Sequence, residues 1–235
     1  MLRSCLLAVG TVMCLGPLAS LAAPIPWAQP NGSTGTFNYS NGGSDLGLFG
    51  DPTVVNGGFA FFPTDFRAIA SNGNATTTVD RLFFQLETVN DQDIDRVTLS
   101  EAGDYSILGP GGVTAAAFLF VTDLDTGIVY SSVFDNTEPD LPIFTNGPQG
   151  FAAGIWEGII DVDLPAGVSR IQVVLNNVLQ ATSGPQGTAI IEKKAFGGGD
   201  GPEAGLVLGI VIPEPTSAMV LVSGLGFGLL RRSRL

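Results

Sequence analysis

Along residues 81–87 the chain reads Arg-Leu-Phe-Phe-Gln-Leu-Glu, which puts Leu82, Phe84 and Leu86 on one side and Arg81, Phe83, Gln85 and Glu87 on the other. Extended chain points successive side chains to opposite faces, so this two-residue period predicts a half-buried strand. The same alternation recurs where Ile171, Val173 and Leu175 oppose Arg170 and Gln172. It recurs again where Trp156, Ile160, Val162 and Leu164 oppose Glu157, Asp161 and Asp163, three acids that should face water. Further short apolar runs predict strands over 58–62, 95–99, 104–108, 113–122, 127–133, 188–196 and 206–212. Turn-forming clusters separate them, among them Gly109-Pro110-Gly111-Gly112, Asp125-Thr126-Gly127, Pro165-Ala166-Gly167 and Ser183-Gly184-Pro185. About ten such strands without an amphipathic helix predict an all-β fold, an antiparallel two-sheet β-sandwich of jelly-roll type. With no internal repeat, a propeller or solenoid is disfavoured.

The predicted sandwich spans 57–212. Residues 23–56 are dominated by Gly, Asn, Ser and Pro and read as an irregular lead-in, with Trp27 inside it. Trp156 falls on the apolar face of its strand and reads as core, as do the phenylalanines of 58–66. Gly197 to Gly201 lacks the lysine and the following helix of a phosphate loop and reads as a linker.

Both ends differ from the middle. Residues 1–22 carry Arg3, an apolar run from Cys5 to Leu15, Gly16-Pro17, and small residues at Ser20 and Ala22, the features of a secretory signal peptide cut between Ala22 and Ala23 by signal peptidase. At the other end, Thr216 to Leu230 is apolar and, as a helix, about 22 Å long at ~1.5 Å per residue. That is short for a hydrocarbon layer of about 30 Å, so the expected transmembrane helix over 216–230 is a transient anchor in the inner membrane. Arg231, Arg232 and Arg234 in the basic end 231–235 would stop transfer and stay in the cytoplasm, leaving the body outside the inner membrane. Pro213-Glu214-Pro215 stands on the outer side, extended by its two prolines.

The order of tripeptide, apolar run and arginines over 213–235 resembles the PEP-CTERM sorting signal of Gram-negative bacteria. That resemblance covers only the tail. It implies that Pro213, Glu214 and Pro215 are recognised by an exosortase, a membrane protease acting in trans, and that the protein then reaches the cell surface or the medium. It also implies a host that makes exopolysaccharide.

Composition narrows the chemistry. The formal net charge is -12, and four of the ten basic residues lie at the ends, leaving Arg67, Arg81, Arg96, Arg170, Lys193 and Lys194 in the body. Such a body repels phosphate backbones, which argues against nucleic acid as a partner. The absence of histidine excludes Ser-His-Asp and Cys-His nucleophile systems, and the two cysteines, Cys5 and Cys14, leave with the signal peptide. Asp91, Asp93 and Asp95 alternate as calcium ligands do, but a calcium loop counted from Asp91 would need glycine at Arg96 and a bidentate acid at Ala102. A solvated turn before a strand accounts better for them, and a hairpin turn for Asp123 and Asp125. No cofactor is called for.

These readings converge on an exported, non-enzymatic cell-surface or matrix protein, processed by an exosortase-like enzyme and associated with exopolysaccharide or biofilm. A carbohydrate-binding sandwich is the alternative, set against only two Trp and three Tyr as stacking platforms. A glycoside hydrolase or lyase using acid pairs comes next, and would need two carboxylates about 5 to 10 Å apart in a cleft.

Overall fold

The computed structural model describes residues 23–213 apart from 56, 135, 195, 199, 200 and 204. Strands β1 (Ile25–Pro26), β2 (Gly32–Ser33), β3 (Phe37–Ser44), β4 (Thr53–Val55), β5 (Gly58–Phe61) and β6 (Arg67–Ser71) are short. The long ones follow: β7 (Ala75–Thr88), β8 (Arg96–Leu108) and β9 (Gly111–Asp123). After β10 (Val129–Val133), β11 (Asn136–Glu138) and β12 (Ile143–Thr145) come β13 (Phe151–Asp163) and β14 (Arg170–Ser183). The chain continues through β15 (Thr188–Lys193), β16 (Phe196–Gly198), β17 (Gly201–Glu203) and β18 (Leu206–Val211). Among the described residues no helix is long and apolar enough to cross a membrane; the expected span 216–230 lies outside them.

All but β16 and β17 make two antiparallel sheets packed face to face, as the alternation predicts; those two pair with each other, so both ends of the stretch expected as a linker, Gly197 and Gly201, are in strands. The first runs β1-β3-β7-β14-β9-β10, and β2 and β12 add to its edges. The second runs β11-β13-β8-β18-β5-β4, with β15 also paired to β8 and β6 paired to the far edge of β15. The segments 95–99 and 104–108, expected as separate strands, are one strand. β8 pairs with β13 from Arg96 to Leu108, while its other edge is shared by β18 over 96–101 and by β15 over 103–108. The second sheet therefore forks at Glu101 to Gly103.

Alternation decides what fills the space between the sheets. Leu82, Phe84, Leu86, Ile171, Val173, Leu175, Trp156 and Ile160 are buried, and Arg81, Glu87, Glu157, Asp161 and Asp163 are exposed. Apolar burial of this kind is the main drive to fold. Phe59, Phe61 and Phe66 are core residues too. The open edge of β6 is closed by the hydroxyls of Thr76 and Thr78, which donate to the carbonyls of Ile69 and Arg67 at 2.7 Å each, removing acceptors on which another strand could add.

The region expected as an irregular lead-in belongs to the sandwich. β3 pairs with β7, Phe37 and Tyr39 point inward, and Phe49 is fully buried. Trp27 is 4% exposed and packs on Tyr39, Phe59, Phe61 and Phe84 at ring-centroid distances between 5.4 and 6.3 Å. The glycines that made this stretch look like a linker have a packing reason. A Cβ at Gly42 would run into the Trp27 ring, and one at Gly43 would come within 2.7 Å of the Ile25 carbonyl. Here glycine marks close approach.

Candidate functional site

The outward face of the first sheet is built by the odd-numbered residues of β7 and the even-numbered residues of β14 and β9. Register aligns them in rows across the strands. One row carries Ser40, Gln85, Gln172 and Thr122; the next carries Gly43, Phe83, Val174 and Phe120; a third carries Arg81, Asn176 and Phe118. An apolar strip thus crosses a face whose other rows mix amides, hydroxyls, two guanidiniums and Glu87 with the apolar Phe118 and a further row of Val79, Val178 and Ala116. Phe118 is 41% exposed, and the Arg81 guanidinium lies 5.8 Å from the centre of the Phe83 ring.

A depression lies on each side of the strip. One, of about 550 Å³, is bounded by Pro24, Asp45, Leu46, Val79, Arg81 and Asn176. The other, of about 190 Å³, is bounded by Asn38, Ser40, Gln85, Glu87, Leu124 and Arg170. From Val79 to Glu87 along β7 is roughly 27 Å at ~3.4 Å per residue, room for an extended oligomeric ligand. Both guanidiniums are held by acids: Arg81 by Asp45 at 3.0 Å, and Arg170 by Asp125 at 2.8 Å. Asp80, at the floor of the larger depression, is buried, and its carboxylate accepts from the backbone N–H of Leu46, Leu48 and Arg81 at 2.8 to 2.9 Å. That arrangement fixes the loop forming the rim.

A second cluster lies between the sheets at the fork of β8. Glu101 from β8 contacts Lys193 of β15 through Oε2 and accepts from Nδ2 of Asn177, on β14 of the opposite sheet, through Oε1. The side chains of Glu101 and Lys193 have no exposure, and Asn177 is fully buried. Phe66 and Trp156 each present a ring centre 5.4 Å from Lys193 Nζ. Gly103 lets Trp156 reach that position, because it pairs with both Trp156 and Lys193, and a Cβ there would come within 2.6 Å of the Trp156 indole nitrogen. Burial pushes the Glu101 carboxyl up and the Lys193 ammonium down, both toward neutrality, against the mutual attraction of the pair. Beyond the contact with Glu101, Lys193 Nζ finds no hydrogen-bond partner among the described residues, and neither does Asn177 Oδ1.

The residues singled out from the sequence fare differently. Ala23 is exposed and borders the larger depression, whereas Ala22 lies outside the described residues. Pro213 is exposed just after β18; Glu214, Pro215, Arg231, Arg232 and Arg234 lie outside the described residues. Asp91 ends a 3-10 turn (Val89–Asp91), Asp93 is half-exposed and Asp95 exposed, pinned around the buried Ile94. Among the described residues no group of three acids, these included, could hold a metal ion. Asp123 closes the β9–β10 turn, accepting from Thr126 Oγ1 at 2.5 Å and from the Asp125 N–H at 2.9 Å, bonds that hold its carboxyl below the usual range. The Glu101–Lys193–Asn177 cluster went unremarked in the sequence, although each member sits at an inward position of its strand beside Leu99, Ile191 and Leu175.

No family model and no curated protein matches the chain. Among solved structures, a carbohydrate-binding module, TmCBM61, in complex with β-1,4-galactotriose matches at 12% identity and TM-score 0.24, covering 80% of this chain and 100% of that one. The enzymatically active domain of tailspike protein 4 of bacteriophage CBA120 matches at 12% identity and TM-score 0.22, covering 68% of this chain and 21% of that one. Scores this low carry no argument about function.

Proposed function

We propose that this protein is an exported, non-catalytic β-sandwich that binds polysaccharide on the outward face of its first sheet, and that an exosortase-like protease processes its tail at Pro213-Glu214-Pro215. The observation that carries the binding reading is the apolar strip of Phe83, Val174 and Phe120, flanked on one side by Ser40, Gln85, Gln172 and Thr122 and on the other by Arg81, Asn176 and Phe118. A sugar ring has a C–H face that packs on such a strip and a rim of hydroxyls that both donate and accept. Amide side chains answer that rim, since each carries donors and an acceptor. Neutral glycan is the class favoured, because both arginines are engaged by carboxylates and the net charge of -12 repels polyanions. The non-catalytic reading rests on the acids nearest the face, since Asp45 is held by Arg81, Asp125 and Glu87 by Arg170, and both oxygens of Asp80 are spent on backbone N–H groups.

The test is retention of the protein in gels cast with neutral or acidic polysaccharides. Phe83→Ala and Gln172→Ala are each expected to weaken retention by neutral glycan about tenfold, the loss of roughly 1.4 kcal/mol of contact. No retention across both classes of polysaccharide would remove the binding reading. Unchanged tail processing in the host after Pro213, Glu214 and Pro215 are replaced by alanine would remove the exosortase step.

A further inference from the structure

The geometry points to an intramolecular isopeptide bond between Lys193 Nζ and Asn177 Cγ, formed by the folded protein itself with Glu101 as the catalytic acid–base. The reactants are held on one carboxyl group: the amine at Oε2 and the carboxamide nitrogen at Oε1. They come from opposite sheets, so folding alone brings them together. This is the proximity that turns a bimolecular reaction into an effectively unimolecular one.

The step balances without any co-reactant. Neutral Nζ attacks Cγ of Asn177 and forms a C–N bond. Glu101 takes the proton that Nζ loses through Oε2 and delivers one to Nδ2 through Oε1. The Cγ–Nδ2 bond then breaks, and ammonia leaves. An amine and a primary amide become a secondary amide and ammonia, and Glu101 is unchanged. The reaction needs an uncharged amine and a carboxyl able to carry the proton, and burial favours both neutral forms. Phe66 and Trp156 wall the site with rings, excluding the water that would compete by hydrolysing the amide.

The bond also relieves a cost that the non-covalent cluster bears. A buried ion pair repays its desolvation only when its remaining hydrogen-bonding groups are satisfied, and here Nζ and Oδ1 lack partners. Converting ammonium and carboxamide into one neutral amide removes a charge and four N–H groups from the interior. The product ties β14 of the first sheet to β15 of the second, a covalent tether across the sandwich.

The tryptic map of the full-length protein, purified from its host, tests the proposal directly. Both partners fall between Arg170 and Lys194. The bonded chain is expected to release residues 171–194 as a single peptide, uncut after Lys193 and lighter by one ammonia, with fragment ions inside the ring missing. A succinimide at Asn176 or Asn177 also loses ammonia, but it leaves the cut after Lys193 intact and opens in mild alkali. Glu101→Gln is expected to yield residues 171–193 at full mass, and Asn177→Asp to lose water where the natural chain loses ammonia. The thermal midpoint of the bonded chain should exceed that of Glu101→Gln by about 10 °C. Cleavage after Lys193 at full mass in the folded natural chain, even after prolonged incubation, would overturn the proposal; this result does not depend on whether any variant folds.

Discussion

Replacing Trp27 with alanine tests whether the amino-terminal stretch is part of the core. The ring is 4% exposed and touches four other rings across β3, β5 and β7. A buried tryptophan removes about 150–250 Å² from water. At ~25 cal/mol per Å² the transfer contribution is roughly 4–6 kcal/mol, an upper estimate because the unfolded chain is itself partly collapsed. Observed losses for large aromatic truncations are about 3–5 kcal/mol, so Trp27→Ala should cost about 4 kcal/mol. For a domain of this size that lowers the thermal midpoint by about 10 °C. Trp27→Phe separates packing from polarity. The indole N–H is buried without an acceptor among the described residues, and deleting such a donor recovers about 1–3 kcal/mol. That gain offsets part of the lost area, so the phenylalanine variant should lie within about 1 kcal/mol of the natural chain. Urea unfolding followed by far-ultraviolet circular dichroism gives both values. A loss under about 1 kcal/mol for Trp27→Ala at an unchanged denaturant slope, or equal damage from both substitutions, would refute the core assignment.

Asp80→Ala should destabilise by about 3 kcal/mol in the same assay, since the N–H groups of Leu46 and Leu48 both lose their acceptor, and Asp80→Asn should cost less by retaining one oxygen. Gly42→Ala should cost about 2 kcal/mol by driving a methyl group into the Trp27 ring. The Asp123 carboxyl titrates below its unfolded value, so its support of the β9–β10 turn is complete above about pH 4 and is lost as pH falls through the folded-state value. Amide shifts of Asp125 and Thr126 followed by NMR should move together at that lower pH, and Thr126→Val should move the transition up toward the ordinary range.

The alternating runs were legible because each strand of a sandwich lies between core and water along its whole length. Leu82, Phe84 and Leu86 could be assigned inward from seven residues of sequence, and Asp161 and Asp163 outward from ten. The same parity rule places Glu101 with Val97 and Leu99, Asn177 with Leu175 and Leu179, and Lys193 with Ile191. Three polar residues at inward positions are a readable signal, but one that says only that each needs a partner. The partners stand 76 positions apart for Glu101 and Asn177, and no local pattern joins them.

The amino-terminal stretch went unread for a different reason. Glycine, asparagine and serine weaken the alternation of Phe37 and Tyr39, and a glycine looks the same in sequence whether it frees the chain or admits a tryptophan ring. The outward face was equally hidden. Its rows are perpendicular to the chain, so Phe83, Val174 and Phe120 become one strip only once register is set.

What the sequence alone determined is therefore the class of fold and the side of the sheet each residue takes, because both follow from a period of two within one strand. Only the tertiary structure decided which strands adjoin, where β8 forks, and which inward and outward residues meet. Those depend on hydrogen-bond register between distant segments, a property of pairs of strands that no single strand contains.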